Sequence, residues 1–414
     1  MKKLFNTNQP IITSLLETDT YKIRMLYFIW TFFPELKTKF VFTNRTTAVR
    51  LAEEIDLGQL REELGAVATL RFRPEEIAFL RKQEKYPEEF WQFLARLELS
   101  DITVEKWRDG QLVIETAEDY QVKTTLWELI VLPIVNELYA RQMLKQAQVS
   151  EREVIKAGEE RLRAKAEMLQ GTGVRALQFA LRRRLSAWWE RQMTEISLDL
   201  MPGVLVAVSN MLLAQKLGVP YGGTNAHELT MGLNALRWRE GPEQAWQAQY
   251  EVFKKWFQLF PEEQRIILPD TFGSKQFLDN IPEELIREAM GFRQDSGDPI
   301  EFGYWVLEMW QRFGINPLER TLLFSDGLKP EKMLRLYQEF NQLTKVLFGW
   351  GTNFSNDTGF VKALSIVMKL VRAGGNDAVK LSDNLAKAIG QPRAIARNKK
   401  LFGYEVSFTE ECVY

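Results

Sequence analysis

The chain has 414 residues, 45% hydrophobic and 12% aromatic, enough to build a large core as two domains or as one elaborated barrel. Lysine and arginine total 54 against 55 aspartates and glutamates, so no global basic field exists to hold DNA or RNA. A lone cysteine, Cys412, and a lone histidine, His227, exclude a disulfide framework and a Cys/His zinc site.

In chain order, the opening Met-Lys-Lys-Leu-Phe-Asn-Thr-Asn lacks the apolar run of a secretory signal, and the chain reads as cytoplasmic and soluble. Thr18-Asp19-Thr20-Tyr21-Lys22 has the form of a helix N-terminus, with Asp or Thr as the cap. Residues 39–42 predict a strand and residues 46–63 one or two helices. Residues 102–115 alternate around Asp109-Gly110, a hairpin signal. Residues 124–147 carry apolar positions at helical spacing. Glu128, Pro133, Asn136 and Glu137 interrupt their most apolar part, which is too short and too polar to cross a bilayer. The charged stretch 151–167 predicts a solvated helix.

From Ala176 onward the pattern changes. Short apolar runs at 176–180, 204–208, 265–268, 290–293, 321–324, 345–348 and 364–370 each end in small or polar residues and lead into helical segments. Strand-then-helix repetition predicts parallel βα units. Polar and glycine residues at successive strand ends are what an α/β barrel gathers at its active-site mouth.

Several strand-end segments could carry chemistry. Asp295-Ser296-Gly297-Asp298-Pro299 places two carboxylates in a glycine-containing turn, suited to ribose hydroxyls or a hydrated Mg²⁺. The competing reading is a helix start with Asp298 as cap and Pro299 in the first turn. Gly349-Trp350-Gly351-Thr352 offers close backbone approach and a hydroxyl to a phosphate, or is an ordinary βα turn. His227 lies among small residues beside Glu228, and as a base, a hydrogen-bond donor or a phosphoryl acceptor it fits equally well. One of Arg182-Arg183-Arg184 at a strand end would make a carboxylate or phosphate fork, although such runs are usually a solvated helix face.

Taken in this order, the segments resemble nicotinate phosphoribosyltransferases from about residue 11 to 383. The elements are Thr18-Asp19-Thr20-Tyr21-Lys22, the strand end 42–45, Phe179-Ala180-Leu181-Arg182-Arg183, Ser209-Asn210 and Gly223-Thr224-Asn225-Ala226-His227-Glu228. Asp270-Thr271-Phe272-Gly273, 293–299, Phe324-Ser325-Asp326, 348–352 and Lys380-Leu381-Ser382-Asp383 complete them. The resemblance implies an irregular α/β barrel of the type II phosphoribosyltransferase kind over residues 141–372. An α+β accessory domain would be built from residues 1–140, with 373–414 packed on it.

For the site, the resemblance implies nicotinate stacked on Phe179 and on Tyr21 of a partner subunit in a homodimer, with its carboxylate on Arg182 and Ser209. Related nicotinamide enzymes carry an acid at the Ser209 position, so serine favours the acid substrate. Asp295, Asp326 and Asp298 would serve the ribose and Mg²⁺, Arg293 the pyrophosphate, and Gly349, Gly351 and Thr352 the 5′-phosphate. His227 would be phosphorylated by ATP, the co-substrate. The chain departs from the family pattern at Gln178, Ala180, Ala207-Val208, Leu229 and Gln294. The alternatives are transfer to nicotinamide or another ring base, and an inactive paralogue that senses these ligands.

Overall fold

The computed structural model describes residues 3–410; Cys412 lies outside them. Its strands are β1 (Lys37–Asn44), β2 (Ile102–Lys106), β3 (Leu112–Thr116), β4 (Asp119–Tyr120), β5 (Ala176–Gln178) and β6 (Leu205–Val208). They continue with β7 (Ile266–Ile267), β8 (Gly291–Gln294), β9 (Thr321–Phe324), β10 (Lys345–Trp350), β11 (Ile366–Ala373) and β12 (Asn376–Asp377).

Six of the seven late apolar runs form one parallel sheet in the order β6-β5-β10-β9-β8-β7. Short, continuously apolar strands are what a sheet covered on both faces requires. Its two edge strands are linked by the segment after β6. Val208 bridges Tyr221, and Asn225 Nδ2 donates to the Ile266 carbonyl of β7 at 2.9 Å. The segment after β6 thereby lies against both edge strands.

The seventh run corrects the sequence reading. Residues 364–370, expected to end the barrel segment 141–372, belong to β11, which pairs antiparallel with β1 from Thr38↔Ala373 to Asn44↔Ile366. Lys369 and Arg372 break its apolar run, which suits a half-buried antiparallel strand better than a doubly covered parallel one. The first sheet has the order β12-β11-β1-β3-β2, with β4 beside β1. The expected hairpin is β2–β3, and Gly110 takes φ +80° in its turn.

Residues 373–414, expected on the accessory domain, divide: β12 pairs with β11 in the first sheet, and from Val379 onward the tail closes over the carboxyl end of the parallel sheet, where Val379, Leu381, Ala394 and Phe402 bury Phe272. Phe272 and Phe402 stack at 4.1 Å, and the Leu381 amide donates to the Thr271 carbonyl at 2.8 Å. Apolar residues at 379, 381, 394 and 402 thus find their partner at a strand end.

The helix Trp127–Gln146 is buried from Trp127 to Ala140 and lies against β11 and the short turn Leu181–Arg183 that follows β5. No helix among the described residues is long and apolar enough to cross a membrane. The helix Glu151–Leu169, expected to be solvated, buries one face. Gly158 lies so close to the Trp189 ring that an added Cβ would come within 2.3 Å of it.

Candidate active site

A cavity of about 180 Å³ opens where the parallel strands end. Eight lysines and arginines line it against three aspartates, a concentration of positive charge in a chain whose net charge is −1. Tyr21, Phe179, Arg182, Ser209, His227, Arg293, Asp295, Asp326, Gly349, Gly351 and Thr352 all border it, together with Asp19. Asp298 does not. It is exposed, and its carboxylate accepts from the amides of Ile300 and Glu301 at 2.8 and 2.9 Å, capping the helix Pro299–Arg312. The expected ligand role of Asp298 is therefore replaced by a cap, because the turn directs its carboxylate at its own helix.

At one end of the cavity, Phe179 follows β5 and Tyr21 lies in the first turn of the helix Thr20–Phe32. Tyr21 borders the cavity of its own chain. Arg182 donates to the Tyr21 hydroxyl at 3.3 Å and pairs with Glu128 at 3.3 Å. Glu128 also holds Lys22 and Lys369, each at 3.0 Å. Burial would raise the Glu128 carboxyl, but Lys369, Lys22 and Arg182 outweigh it and hold it well below the usual range. Lys369 itself is pushed down to about 8 by burial.

Asp19 sits at the N-cap position of that helix, yet its carboxylate makes no cap bond. It accepts instead from the Ser209 hydroxyl. The backbone fixes this pairing, because Thr20 N donates to Ser209 O at 2.8 Å and Met211 N to Thr18 O at 2.9 Å. Burial pushes the Asp19 carboxyl up to about 6, against the pull of Ser209 and Arg182. The Ser209 proton, expected to serve a substrate, is thus committed to a neighbour.

In the middle, Arg293 on β8 donates to Ser325 Oγ at 2.9 Å, Thr224 Oγ1 at 3.0 Å and Asp295 Oδ1 at 3.0 Å. His227 opens the helix His227–Arg237 with Nε2 2.7 Å from Asp270 Oδ1 and 2.9 Å from Lys380 Nζ. Burial pushes the imidazole down to about 4, so it is neutral at pH 7. Burial would raise Asp295, but Arg293, His227, Lys380 and Lys387 hold it well below the usual carboxylate range. Lys387 from the tail donates to Asp326 Oδ1 at 2.5 Å and to the Asp295 carbonyl at 2.9 Å.

These contacts bear on where a cation could sit. His227, Asp270 and Asp295 converge within 4.8 Å, but Lys380 already stands 2.9, 3.2 and 3.9 Å from them, so an ammonium occupies that focus. Asp295 and Asp326 border the cavity as two carboxylates, the donor set for Mg²⁺ shared with substrate phosphates and water.

The sequence departures are absorbed locally. Gln178 donates to Glu190 Oε1 at 2.7 Å, where an acid would set two carboxylates against each other. The Gln294 amide donates to the carbonyls of Ser296 and Gly297 at 2.9 and 3.1 Å and so pins the Asp295 turn. The reading by motif missed Asp19, Lys369 and Lys387 as cavity residues. It quoted Lys380 without a role. Only Asp19 and Lys380 stood in quoted motifs that could have pointed to them.

A parallel sheet with a cationic, ring-lined cavity at its strand ends is the build of an α/β enzyme for anionic substrates. Residues 174–406 match the nicotinate phosphoribosyltransferase (NAPRTase) family, and residues 16–136 match that family's N-terminal domain. The chain belongs to the nicotinate phosphoribosyltransferase family. It is 28% identical to the nicotinate phosphoribosyltransferase from Porphyromonas gingivalis, with a TM-score of 0.85 over 95% of this chain and 100% of that one. To the Vibrio cholerae nicotinate phosphoribosyltransferase it is 27% identical, with a TM-score of 0.87 over 98% and 96% of the two chains.

Proposed function

We propose that the protein joins nicotinate to 5-phosphoribosyl 1-pyrophosphate, releasing nicotinate mononucleotide and pyrophosphate, the first step of NAD salvage from nicotinate. The observation that carries this reading is the cavity lining, which brings the rings of Phe179 and Tyr21 together with Arg182, Arg293, Lys380 and Lys387.

Phe179 and Tyr21 hold the pyridine ring, and Arg182 faces its carboxylate. Arg293 and Lys387 meet the pyrophosphate. Arg183 and the turn Gly349-Trp350-Gly351-Thr352 meet the 5′-phosphate, and Asp295 and Asp326 the ribose. The ring nitrogen bonds to C1′ as the C1′–O bond to pyrophosphate breaks, so positive charge gathers at C1′ and negative charge on the leaving group. Asp295, kept ionised, stabilises the first, and Arg293 and Lys387 the second. Bound Mg²⁺, held by Asp295 and Asp326, would add charge neutralisation to the pyrophosphate.

ATP hydrolysis couples to this transfer through His227. A neutral imidazole keeps the lone pair that a phosphoryl acceptor needs, and Asp270 at 2.7 Å compensates the charge that phosphorylation puts on the ring. The test is product formation with and without ATP, for wild type and His227→Ala. ATP-stimulated nicotinate mononucleotide synthesis, with the stimulation absent in the mutant, is expected. Absence of product under every condition would remove the reading.

A second reading, transfer to nicotinamide, is favoured by one observation: the Asp19 carboxylate lies against Ser209, where an amide NH₂ could be accepted. Parallel assays with both bases separate the two.

A further inference from the structure

The pairing of Asp19 with Ser209 sets a problem for an acid substrate. Both residues are buried, at 5% and 1% exposure, and both border the ring end of the cavity beside Arg182. While Asp19 is ionised it takes the Ser209 proton, so a substrate carboxylate placed there meets a second anion and an oxygen with no proton to give. The segment cannot swing away, because Thr20 and Met211 lock it to Ser209 and Thr18 through backbone hydrogen bonds.

We propose that Asp19 is the residue that discriminates between ring acid and ring amide, by taking up one proton from solvent when the acid binds. The inference rests on the nicotinate reading above. Once protonated, Asp19 donates to Ser209 Oγ, and the Ser209 hydrogen turns to the substrate carboxylate alongside the Arg182 guanidinium. Left ionised, Asp19 keeps the Ser209 proton and presents its second oxygen to an amide NH₂.

The groups around Asp19 make this proton accessible. Burial, Glu190 on the helix Ala187–Leu200 and Glu128 on the helix Trp127–Gln146 raise its carboxyl. Arg182 and the Ser209 bond lower it, and it stands at about 6. Tyr21 and Lys22 flank it on its own helix. An incoming carboxylate adds one more negative charge and moves the proton on at neutral pH.

The test is calorimetry of nicotinate binding to the wild-type protein at pH 6 to 9, in buffers of different ionisation enthalpy, with infrared difference spectra of the same mixtures. Expected are uptake approaching one proton per nicotinate near neutral pH and a Kd that rises about tenfold per pH unit above it. A protonated-carboxyl band should appear with nicotinate and not with nicotinamide. Asp19→Asn should bind nicotinate without proton uptake and with a flat profile between pH 6 and 7, below the range in which Lys369 titrates. Nicotinate binding with no uptake overturns the inference alone. Uptake without a carboxyl band also overturns it, because the proton then belongs to Lys369. If nicotinate does not bind at any pH, the nicotinate reading falls together with it.

Discussion

Replacing Arg182 by alanine tests the base end of the cavity without dismantling it. Arg182 is one of three cations on Glu128, and at 3.3 Å it is the most distant; Lys22 and Lys369, both at 3.0 Å, remain after its removal. The buried carboxylate therefore stays paired, and the fold should survive with a small loss of stability. Binding fares differently. A charge-assisted hydrogen bond to a carboxylate contributes about 1.5–3 kcal/mol, and Arg182 is the guanidinium that donates to the Tyr21 hydroxyl at the cavity wall. Its loss should lower kcat/KM for nicotinate by roughly 10- to 150-fold. Arg182→Lys should recover only part, since an ammonium cannot reproduce the fork and reaches Tyr21 less well. The assay is steady-state kinetics with nicotinate and, separately, with phosphoribosyl pyrophosphate as the varied substrate, beside thermal melts of each variant. A fall that appears equally in both KM values, or none at all, would refute the assignment of Arg182 to the ring carboxylate.

Gly349→Ala would place a Cβ 2.7 Å from two carbons of the Phe179 ring, so the ring must move; the KM for the base should rise several-fold, in line with losing about 0.5–1.5 kcal/mol of stacking, as initial-rate measurements would show. Gly291→Ala would set a Cβ 2.1 Å from the Thr321 carbonyl between β8 and β9; a stability loss of about 3 kcal/mol or more is expected in urea unfolding, and a wild-type midpoint would contradict that packing. The folded His227 value, about 4, lies below the unfolded 6.5, so the unfolded chain takes the proton first. Its contribution is intact above pH 6.5 and is lost as pH falls toward 4, by about 2 kcal/mol between pH 7 and 5. Asp383 and Glu137, raised to about 7 chiefly by burial, act in the opposite sense, so the quantity to measure is the wild-type minus His227→Gln difference in unfolding free energy against pH; a difference that does not change with pH would exclude a buried neutral histidine.

Much of this architecture is legible in the chain. The six parallel strands announce themselves as short apolar runs followed by polar residues, because a strand covered on both faces has no polar side to show. The same criterion misplaced β11. Its apolar content is high, but Lys369 borders the cavity, Arg372 is exposed, and only the pairing with β1 decides which sheet it joins. Asp298 shows the limit of motif reading at a turn. A carboxylate beside glycine and proline satisfies both a cap and a ligand pattern, and the backbone direction that separates them is not a local property of five residues.

The cavity's charges divide along the same line. Arg293 on β8 and Asp295 just beyond it could be placed by position, whereas Lys380 and Lys387 reach the site from a tail whose apolar residues close on Phe272. Each of these lysines answers a carboxylate that the strand ends supply: Asp270 for Lys380, and Asp326 for Lys387. Without Lys380, less would oppose the burial that pushes the Asp270 carboxyl up, and the strand ends alone would be a poor place to hold a phosphorylated sugar. The site is therefore completed by a segment that follows the strands of both sheets in the chain. Charge complementarity between that tail and the strand ends exists only in the folded pair, so no periodicity in either segment records it.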